Sequence, residues 1–258
     1  MSVLKERIKN REKMVGMYVH LSDISIARIA GLSGYDFIWV DTEHSYLSTE
    51  TVMQHIYAIK STGTPVIVRV PQDDLTATKH ILEIGVDGIL FPMIQSAEDA
   101  NRVISNTLYP PYGKRGCGPM GATNYGMNDF LDYLHNDHKD LCRFVQLEHK
   151  NAIEDLDEIM KNEYIDGYVF GPADLAGSYN MPGMVFSEEI KNVMTDAIKK
   201  LRDNGKYVAI ASGGYADEIV KYWASFNPDM ISAGADFEFI RDGAVNNRIN
   251  LEKLLKNK

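Results

Sequence analysis

Three observations predict an α/β fold, a (β/α)8 TIM barrel that forms a single domain over residues 1–258. First, eight short apolar runs alternate with helical patterns along the chain. Second, no change in composition marks a linker, and 258 residues are a usual length for one such barrel. Third, the right-handed crossover between parallel strands leaves few other arrangements for eight consecutive strand–helix units.

The first half of the chain supplies four of these units. Strands are predicted at residues 14–21, 37–40, 65–68 and 87–91. Helix starts follow them: Ser22 or Asp23 caps a helix to residue 32, Ser48 opens the next, residues 75–84 form the third, and Ser96 with Asp99 forms a capping box. Each strand is short and bounded by turn signals, which is typical of a buried parallel sheet.

The second half begins with a long irregular segment, residues 108–127, which is rich in Gly, Pro and Tyr. Such a loop in a compact domain is usually functional, so we predict an active-site loop. A short extra helix at residues 129–138 precedes strands that lead into residues 146–148 and 171–174. Further strands at 207–210 and 230–233 flank amphipathic helices, and a long polar helix ends the chain.

Composition restricts the function classes. The net charge of −9 and the pI near 5.3 argue against nucleic acid or an anionic membrane as a partner. Residues 1–13 are charged and contain no apolar segment, so they are neither a signal peptide nor a membrane span, and a cytoplasmic protein is expected. The two cysteines have neither the number nor the spacing of a disulfide framework or a zinc site.

Glu148 and Asp174 stand at the ends of consecutive predicted strands. If these strands are neighbours in a barrel, both carboxylates reach its carboxyl-terminal face, where such folds build active sites. Two adjacent carboxylates repel each other unless a cation or a proton intervenes. Oxygen ligands favour Mg2+ or Mn2+, with Co2+ as a further candidate. The alternative is that each side chain only caps the helix that follows it.

Other strand ends carry polar side chains as well. They are Asp41, Glu43 and His44 after the second strand, Arg69 after the third, and Gln146 before Glu148. Because the carboxyl ends of parallel strands share one face, these groups are expected to form one cluster. Taken singly, each has a structural reading: His44 as a packing histidine, Arg69 as a salt-bridge partner of Asp41 or Glu43, and Gln146 as a core amide.

The chain resembles the HpcH/HpaI aldolases, the metal-dependent class II pyruvate aldolases of the phosphoenolpyruvate/pyruvate barrel superfamily. The similarity spans roughly residues 34–183, and its motifs occur in family order. They are DFIWVDTEH at 36–44, RVP at 69–71, PMI at 92–94, YPPYGKRG at 109–116, QLE at 146–148 and DGYVFGPADL at 166–175.

The resemblance implies a role for each strand-end residue. It implies that Glu148 and Asp174 bind the metal, that Arg69 holds the keto oxygen of the substrate, and that His44 takes part in proton transfer. Asp41 and Glu43 are expected to support these groups, and Gln146 to contact a metal ligand or substrate. The backbone N–H groups around Gly171 to Asp174, a segment that also contains Pro172 and Ala173, suit the substrate carboxylate.

Two residues outside this set are also candidates. Arg115, in the irregular segment, either reaches the aldehyde half of the substrate or orders the loop. Glu83 stands where relatives often carry an aspartate that partners the catalytic histidine, usually from a neighbouring subunit. The resemblance further implies a homo-oligomer, a hexamer or trimer, with the last helix docked on or exchanged with a neighbour.

The sequence therefore predicts a metal-dependent aldolase that splits a 4-hydroxy-2-oxo acid into pyruvate and an aldehyde. Two rival interpretations remain open at this point. The same metal-enolate site could decarboxylate oxaloacetate or act as another lyase. A barrel that binds an oxo acid without turning it over is the second rival.

Overall fold

Eight parallel strands close into a barrel in the computed structural model, which describes residues 2–72 and 74–256. The strands follow one another around the barrel in chain order, and β1 pairs with β8 to close it. The strands are β1 Met14–Val19, β2 Phe37–Asp41, β3 Val66–Arg69, β4 Gly88–Phe91, β5 Cys142–Leu147, β6 Gly167–Phe170, β7 Val208–Ala211 and β8 Met230–Ala235. The predicted (β/α)8 fold is confirmed.

Helices surround the barrel, and the predicted caps Asp23, Ser48 and Ser96 each begin a helix. Ser48, Asp74, Ser96 and Ser187 each accept a backbone N–H of the following first turn. The helices are α1 Val3–Lys9, α2 Ile24–Leu32, α3 Thr49–Lys60, α4 Leu75–Ile84, α5 Ala97–Ser105, α6 Phe130–Asp140, α7 Lys150–Glu154, α8 Leu156–Ile159, α9 Pro172–Ser178, α10 Glu188–Asp203, α11 Asp217–Ala224 and α12 Asp236–Lys256. None of these helices is both long and apolar enough to cross a membrane.

Helix α1 closes the amino-terminal end of the barrel and was not predicted as a helix. Its Leu4 and Ile8 are buried and pack with residues of the barrel interior, such as Phe144. The segment contains few apolar residues among many charges, so its sequence shows only one pair at i and i+4. The barrel interior supplies the apolar contacts that make this short helix stable.

The prediction that residues 108–127 cover the active site of their own barrel is wrong. The segment follows α5 and precedes β5, so it connects a helix to a strand at the amino-terminal end of the barrel. There the Tyr125 hydroxyl lies 3.0 Å from that of Tyr57 on α3, and Ala122 packs against Gly85 at the end of α4. The length and composition of the segment indicated a special loop but not the end of the barrel at which it lies.

Helix α12 leaves part of the barrel uncovered. Of its described residues, only Asp236 at its start is buried. Val15, on the outer face of β1, is 50% exposed although it lies within a strand of the sheet. The helical layer over β1 and β8 is therefore incomplete within one chain.

Candidate active site

The carboxyl-terminal rim of the barrel brings together the polar residues predicted at the strand ends. Asp41, Arg69, Gln146 and residues 171–174 (Gly171 to Asp174) line one cleft of about 280 Å³, and the His44 side chain stands at its edge. Glu148 lies behind Gly171 and contacts Gln146. We call Asp41, Glu43, Arg69, Glu148 and Asp174 the rim cluster.

Arg69 lies at the centre of the rim cluster. The register of β2 against β3 places it beside Asp41, whose two carboxylate oxygens accept from its Nε, at 3.1 Å, and its Nη2. Its Nη1 lies 3.2 Å from Glu43 Oε2 and 3.5 Å from Gln146 Oε1. Burial lowers the pKa of the Arg69 guanidinium, but the carboxylates raise it further, so the group stays charged.

Asp41 connects Arg69 to the loop that carries His44. Its Oδ1 accepts the backbone N–H groups of Glu43 at 3.0 Å and His44 at 3.3 Å. Burial alone would raise the pKa of Asp41, but hydrogen bonds from His20 and Arg69 hold it well below its usual value. Asp41 is therefore ionised, and it fixes the position of the guanidinium and of the loop.

Glu148 is a buried carboxylate with few compensating donors. It is 1% exposed, and its oxygens accept from the Met93 N–H at 2.7 Å and from Gln146 Nε2 at 2.5 Å. Burial raises the pKa of Glu148 to about 7; the Met93 N–H and Arg69 oppose the shift, and repulsion from Asp174 and Glu43 adds to it. A cation beside this group would relieve both the burial and the repulsion.

Gly171 makes room for the Glu148 carboxylate. A Cβ at position 171 would overlap both Glu148 Oε2 and Gln146 Nε2. The absence of a side chain at the end of β6 lets the backbone that leads to Asp174 approach the carboxylate closely.

Helix capping does not explain the two proposed metal ligands. His149, not Glu148, precedes α7, and its Nδ1 accepts the Asn151 N–H at 3.2 Å. Asp174 lies in the first turn of α9, where Gly171 is the N-cap and no side chain of the described residues caps the helix. In residues 2–72 and 74–256, no group of three or more His, Cys, Asp or Glu side chains is placed to hold a metal ion. Two carboxylate ligands that leave positions for water and substrate fit a hard divalent cation.

His44 and Glu43 form the outer edge of the cleft. The His44 side chain is 60% exposed, and its Nε2 lies 3.7 Å from Glu43 Oε2. Burial raises the pKa of Glu43, whereas Arg69 and His44 lower it. An imidazole at this edge can exchange protons with solvent and with a molecule in the cleft.

The sequence interpretation missed His20, which follows β1 directly. Its Nε2 lies 3.1 Å from Asp41 Oδ2, and it lines the cleft. Asp236, at the end of β8, accepts the His20 N–H at 3.0 Å. The signal that could have found both residues is the one that identified Arg69: a polar residue immediately after a buried strand.

Arg115 does not line the cleft. Of the two roles considered for it, contact with the substrate is therefore not made within its own barrel. Its side chain is 1% exposed and lies 3.2 Å from Glu83 Oε1 and 3.1 Å from Asp137 Oδ2. Its guanidinium also stacks over Tyr109, 4.4 Å from the ring centroid. Asp137 is 3.6 Å from Arg143. Glu83 precedes β4, Arg115 and Asp137 precede β5, and Arg143 is the second residue of β5. We call these four residues the amino-end cluster.

Glu83 is likewise separated from His44 within the chain. It lies in the last turn of α4, at the opposite end of the barrel from the rim cluster. The hypothesis that it partners the catalytic histidine can therefore hold only between neighbouring subunits. The separation arises because a helix that follows a parallel strand runs back toward the amino-terminal end of the barrel, and Glu83 lies near the end of such a helix.

Comparison with known proteins identifies the family and the fold of the chain. A family model described as HpcH/HpaI aldolase/citrate lyase matches residues 14–216. The 2-keto-3-deoxy-L-rhamnonate aldolase of Escherichia coli K12 is 30% identical over 253 residues, 98% of this chain and 94% of that protein. A crystal structure of a HpcH/HpaI aldolase/citrate lyase family protein from Burkholderia cenocepacia J2315 superposes with a TM-score of 0.91 at 25% identity, covering 98% of this chain and 100% of that one. The HpcH/HpaI aldolase of Desulfitobacterium hafniense DCB-2 has the same fold, with a TM-score of 0.89 at 22% identity over 98% of this chain and 97% of that one.

Proposed function

The chain belongs to the HpcH/HpaI aldolase/citrate lyase family, and we propose that the rim cluster carries out its aldolase reaction. The enzyme is a carbon–carbon lyase that cleaves a 4-hydroxy-2-oxo acid to pyruvate and an aldehyde. One observation supports the assignment of residues above all others. Glu148 is a buried carboxylate whose pKa is raised to about 7 beside Asp174, and it contacts Gln146, which lines the same cleft as Arg69.

Glu148 and Asp174 are the proposed ligands of a divalent cation, Mg2+, Mn2+ or Co2+. Metal dependence is general for the family, and the two carboxylates supply the oxygen donors that these ions prefer. The bound cation would act as a Lewis acid toward the carboxylate and keto oxygens of the substrate. Gln146 holds Glu148 in position through its amide N–H.

Arg69 stabilises the charge that develops when the C3–C4 bond breaks. The bonding electrons move toward the keto oxygen at C2, which becomes an enolate oxygen. A guanidinium held by both oxygens of Asp41 needs no reorganisation to meet this charge. Arg69 then retains the enolate until a proton reaches C3 and pyruvate forms.

His44 removes the proton from the C4 hydroxyl as the aldehyde carbonyl forms. An imidazole is basic enough for this step near neutral pH. Glu43, 3.7 Å from Nε2 of His44, stabilises the imidazolium that results. Glu83 of a neighbouring subunit remains a further candidate partner for this histidine.

The first turn of α9 is the proposed contact for the substrate carboxylate. Gly171, Ala173 and Asp174 contribute backbone N–H groups beside the metal ligands, whereas Pro172 has none and fixes the start of the helix. The backbone thus orients C1 and C2 of the substrate toward Arg69.

We propose that the outer face of β1 and β8, which the helices of one chain cover incompletely, is a self-association surface. An apolar cavity of about 420 Å³ between α2 and α12 is lined by Ile26, Ile29 and Phe239, among others. Leu251, Leu254 and Leu255 are exposed on the far part of α12. We propose that α12 of a second copy completes the helical layer over β1 and β8, in a hexamer or trimer, and that the protein is cytoplasmic.

The function is tested by incubating the protein with pyruvate, short aldehydes and Mg2+ or Mn2+. We expect formation of a 4-hydroxy-2-oxo acid that stops with EDTA, returns with added metal and is lost in Glu148→Gln. The control Glu154→Gln changes an exposed glutamate on α7 and is expected to leave the reaction intact. Product formation that survives EDTA, or no product with any aldehyde, would contradict the proposal, and an oxaloacetate assay detects the decarboxylase alternative.

A further inference from the structure

The cleft has two chemically different walls. In a closed barrel of eight strands, β1 and β2 lie across the mouth from β5 and β6. The β5 and β6 side carries Glu148 and Asp174. The opposite side is formed by Tyr18, Trp39, Ala235 and Phe237, which we call the tail wall.

The tail wall presents mainly carbon atoms. Tyr18 and Trp39 are 8% and 3% exposed and meet edge to face at 5.2 Å. The Tyr18 hydroxyl donates to the Ser232 carbonyl at 3.1 Å, so its polar atom is already satisfied. The small residues Ala211 and Ala235 line the same side and leave space between the rings. A surface of this kind favours apolar or aromatic groups.

The charged groups that line the cleft leave no unmatched cation for a second carboxylate of the substrate. The three cationic or basic groups that line it are already matched: Arg69 by Asp41 and Glu43, His20 by Asp41, and His44 by Glu43. Glu238 adds a negative charge beside Phe237. Two more nitrogen atoms of the lining residues, Trp39 Nε1 and His20 Nδ1, have no hydrogen-bond partner among the described residues, but both are buried. A carboxylate on this side would therefore lose its hydration without an accessible partner.

We propose that the tail wall binds the part of the substrate derived from the aldehyde and selects an uncharged, apolar or aromatic tail over one that ends in a carboxylate. The inference rests on the proposed function, in which the β5 and β6 side and Arg69 hold C1 to C3. His44, on the β2 loop, then places C4 on the side of β1 and β2. The remaining carbons have the tail wall as their nearest surface.

Matched aldehydes test the selection. Pyruvate is condensed with pentanal or with 5-oxopentanoate, which has the same chain length but a terminal carboxylate, and with benzaldehyde or 4-carboxybenzaldehyde. We expect kcat/KM to be at least about tenfold higher for the uncharged member of each pair. Equal or higher kcat/KM for the carboxylate-bearing member overturns the proposal.

Two phenylalanines with similar exposure provide a matched pair of variants. Phe237 is 43% exposed in the tail wall, and Phe130 is 45% exposed on α6 at the other end of the barrel. Phe237→Ala is expected to reduce the preference for pentanal over 5-oxopentanoate several-fold, whereas Phe130→Ala leaves it unchanged. An unchanged preference in Phe237→Ala counts against the tail wall.

Two further readouts separate this inference from the proposed function. Exchange of the C3 protons of pyruvate with deuterium requires enolate formation but no aldehyde. If exchange occurs and carboxylate tails are preferred, the proposed function stands and the selection by the tail wall is overturned. The binding of 2-oxohexanoate and of 2-oxohexanedioate can be measured without turnover. The fluorescence of Trp39 is monitored while each compound is titrated in the presence of Mg2+. We expect 2-oxohexanoate to bind about tenfold more tightly and its signal to disappear in Trp39→Phe; equal or tighter binding of the dicarboxylate overturns the selection even if no exchange occurs.

Discussion

The rim cluster and the amino-end cluster are two sets of buried charges at opposite ends of one barrel. The rim cluster contains four carboxylates and one guanidinium, in a cleft. The amino-end cluster contains two carboxylates and two guanidinium groups, and its central arginine side chain is 1% exposed. The first has an excess of negative charge that is open to a ligand, and the second is balanced and closed.

The difference teaches how to separate a functional cluster from a structural one. Burial of charge alone does not distinguish them, because both ends bury arginines and acids. The distinguishing feature is a buried carboxylate that has too little positive charge around it. Its sign is the pKa of Glu148, which is raised to about 7. In such barrels the carboxyl-terminal end carries function and the amino-terminal end carries stability. The following predictions test that division.

The largest effect is expected for Glu148→Gln. The amide keeps the size of the side chain but removes the charge that would bind the cation. We expect aldol activity to fall by about three orders of magnitude, and metal binding in calorimetry to be lost. Metal binding that is as tight as in the unsubstituted protein would show that Glu148 is not a ligand.

Arg115→Met is expected to affect stability and not catalysis. It leaves Glu83 without its cation and Asp137 with only Arg143, 3.6 Å away, in a buried site, which costs about 3–5 kcal/mol in the free energy of unfolding. Urea unfolding measures this loss, and kcat per folded molecule should be unchanged. The double variant Glu83→Gln, Arg115→Met should recover part of the stability, because Asp137 keeps Arg143 as its cation and no carboxylate of the cluster is left without one. A loss of kcat in the folded single variant would argue against the division and would favour Glu83 as the partner of His44 in a neighbouring subunit.

Arg69→Lys and Arg115→Lys compare the same substitution at the two ends. At position 69 lysine cannot contact both oxygens of Asp41 and the keto oxygen together, so kcat should fall by about two orders of magnitude. At position 115 the charge is kept within the amino-end cluster, and kcat should not change. Steady-state kinetics measure kcat for both variants. Equal decreases in kcat would contradict the functional difference between the two clusters.

The stability of the metal-free protein should depend on pH through Glu148. Its pKa is raised from 4.5 to about 7 in the folded state, so protonated Glu148 stabilises the fold fully below pH 4.5 and this contribution is lost as pH rises through about 7. The unfolding free energy in EDTA should therefore fall by up to about 3 kcal/mol across this range. Urea unfolding at several pH values measures it, with Glu148→Gln as control. The same slope in the control would assign the effect to other groups.

The smallest effect is expected for His20→Asn. The variant weakens one hydrogen bond to Asp41, which keeps both contacts with Arg69. We expect a loss of about 1 kcal/mol in transition-state stabilisation, which corresponds to a several-fold decrease in kcat/KM. Kinetics at fixed metal concentration test this value, and a decrease as large as that of Arg69→Lys would place His20 among the reacting groups.

The sequence by itself determined the barrel and the membership of the rim cluster. Alternation of strand and helix patterns specifies the fold, because each unit must bury its apolar face against the next. Polar residues that end parallel strands meet at one edge whatever the loops do. For that reason Asp41, Arg69, Gln146 and Glu148 could be grouped without coordinates.

Only the tertiary structure decided where the remaining charges belong. Residues 108–127 were expected at the active site, and contact with the substrate was one of two roles considered for Arg115. Their place between α5 and β5 puts them at the other end of the barrel. The contact of His20 with Asp41 and the raised pKa of Glu148 likewise arise from neighbours that are distant in the chain. Periodicity is a local property of the sequence, whereas burial and electrostatic neighbours come from packing between distant segments.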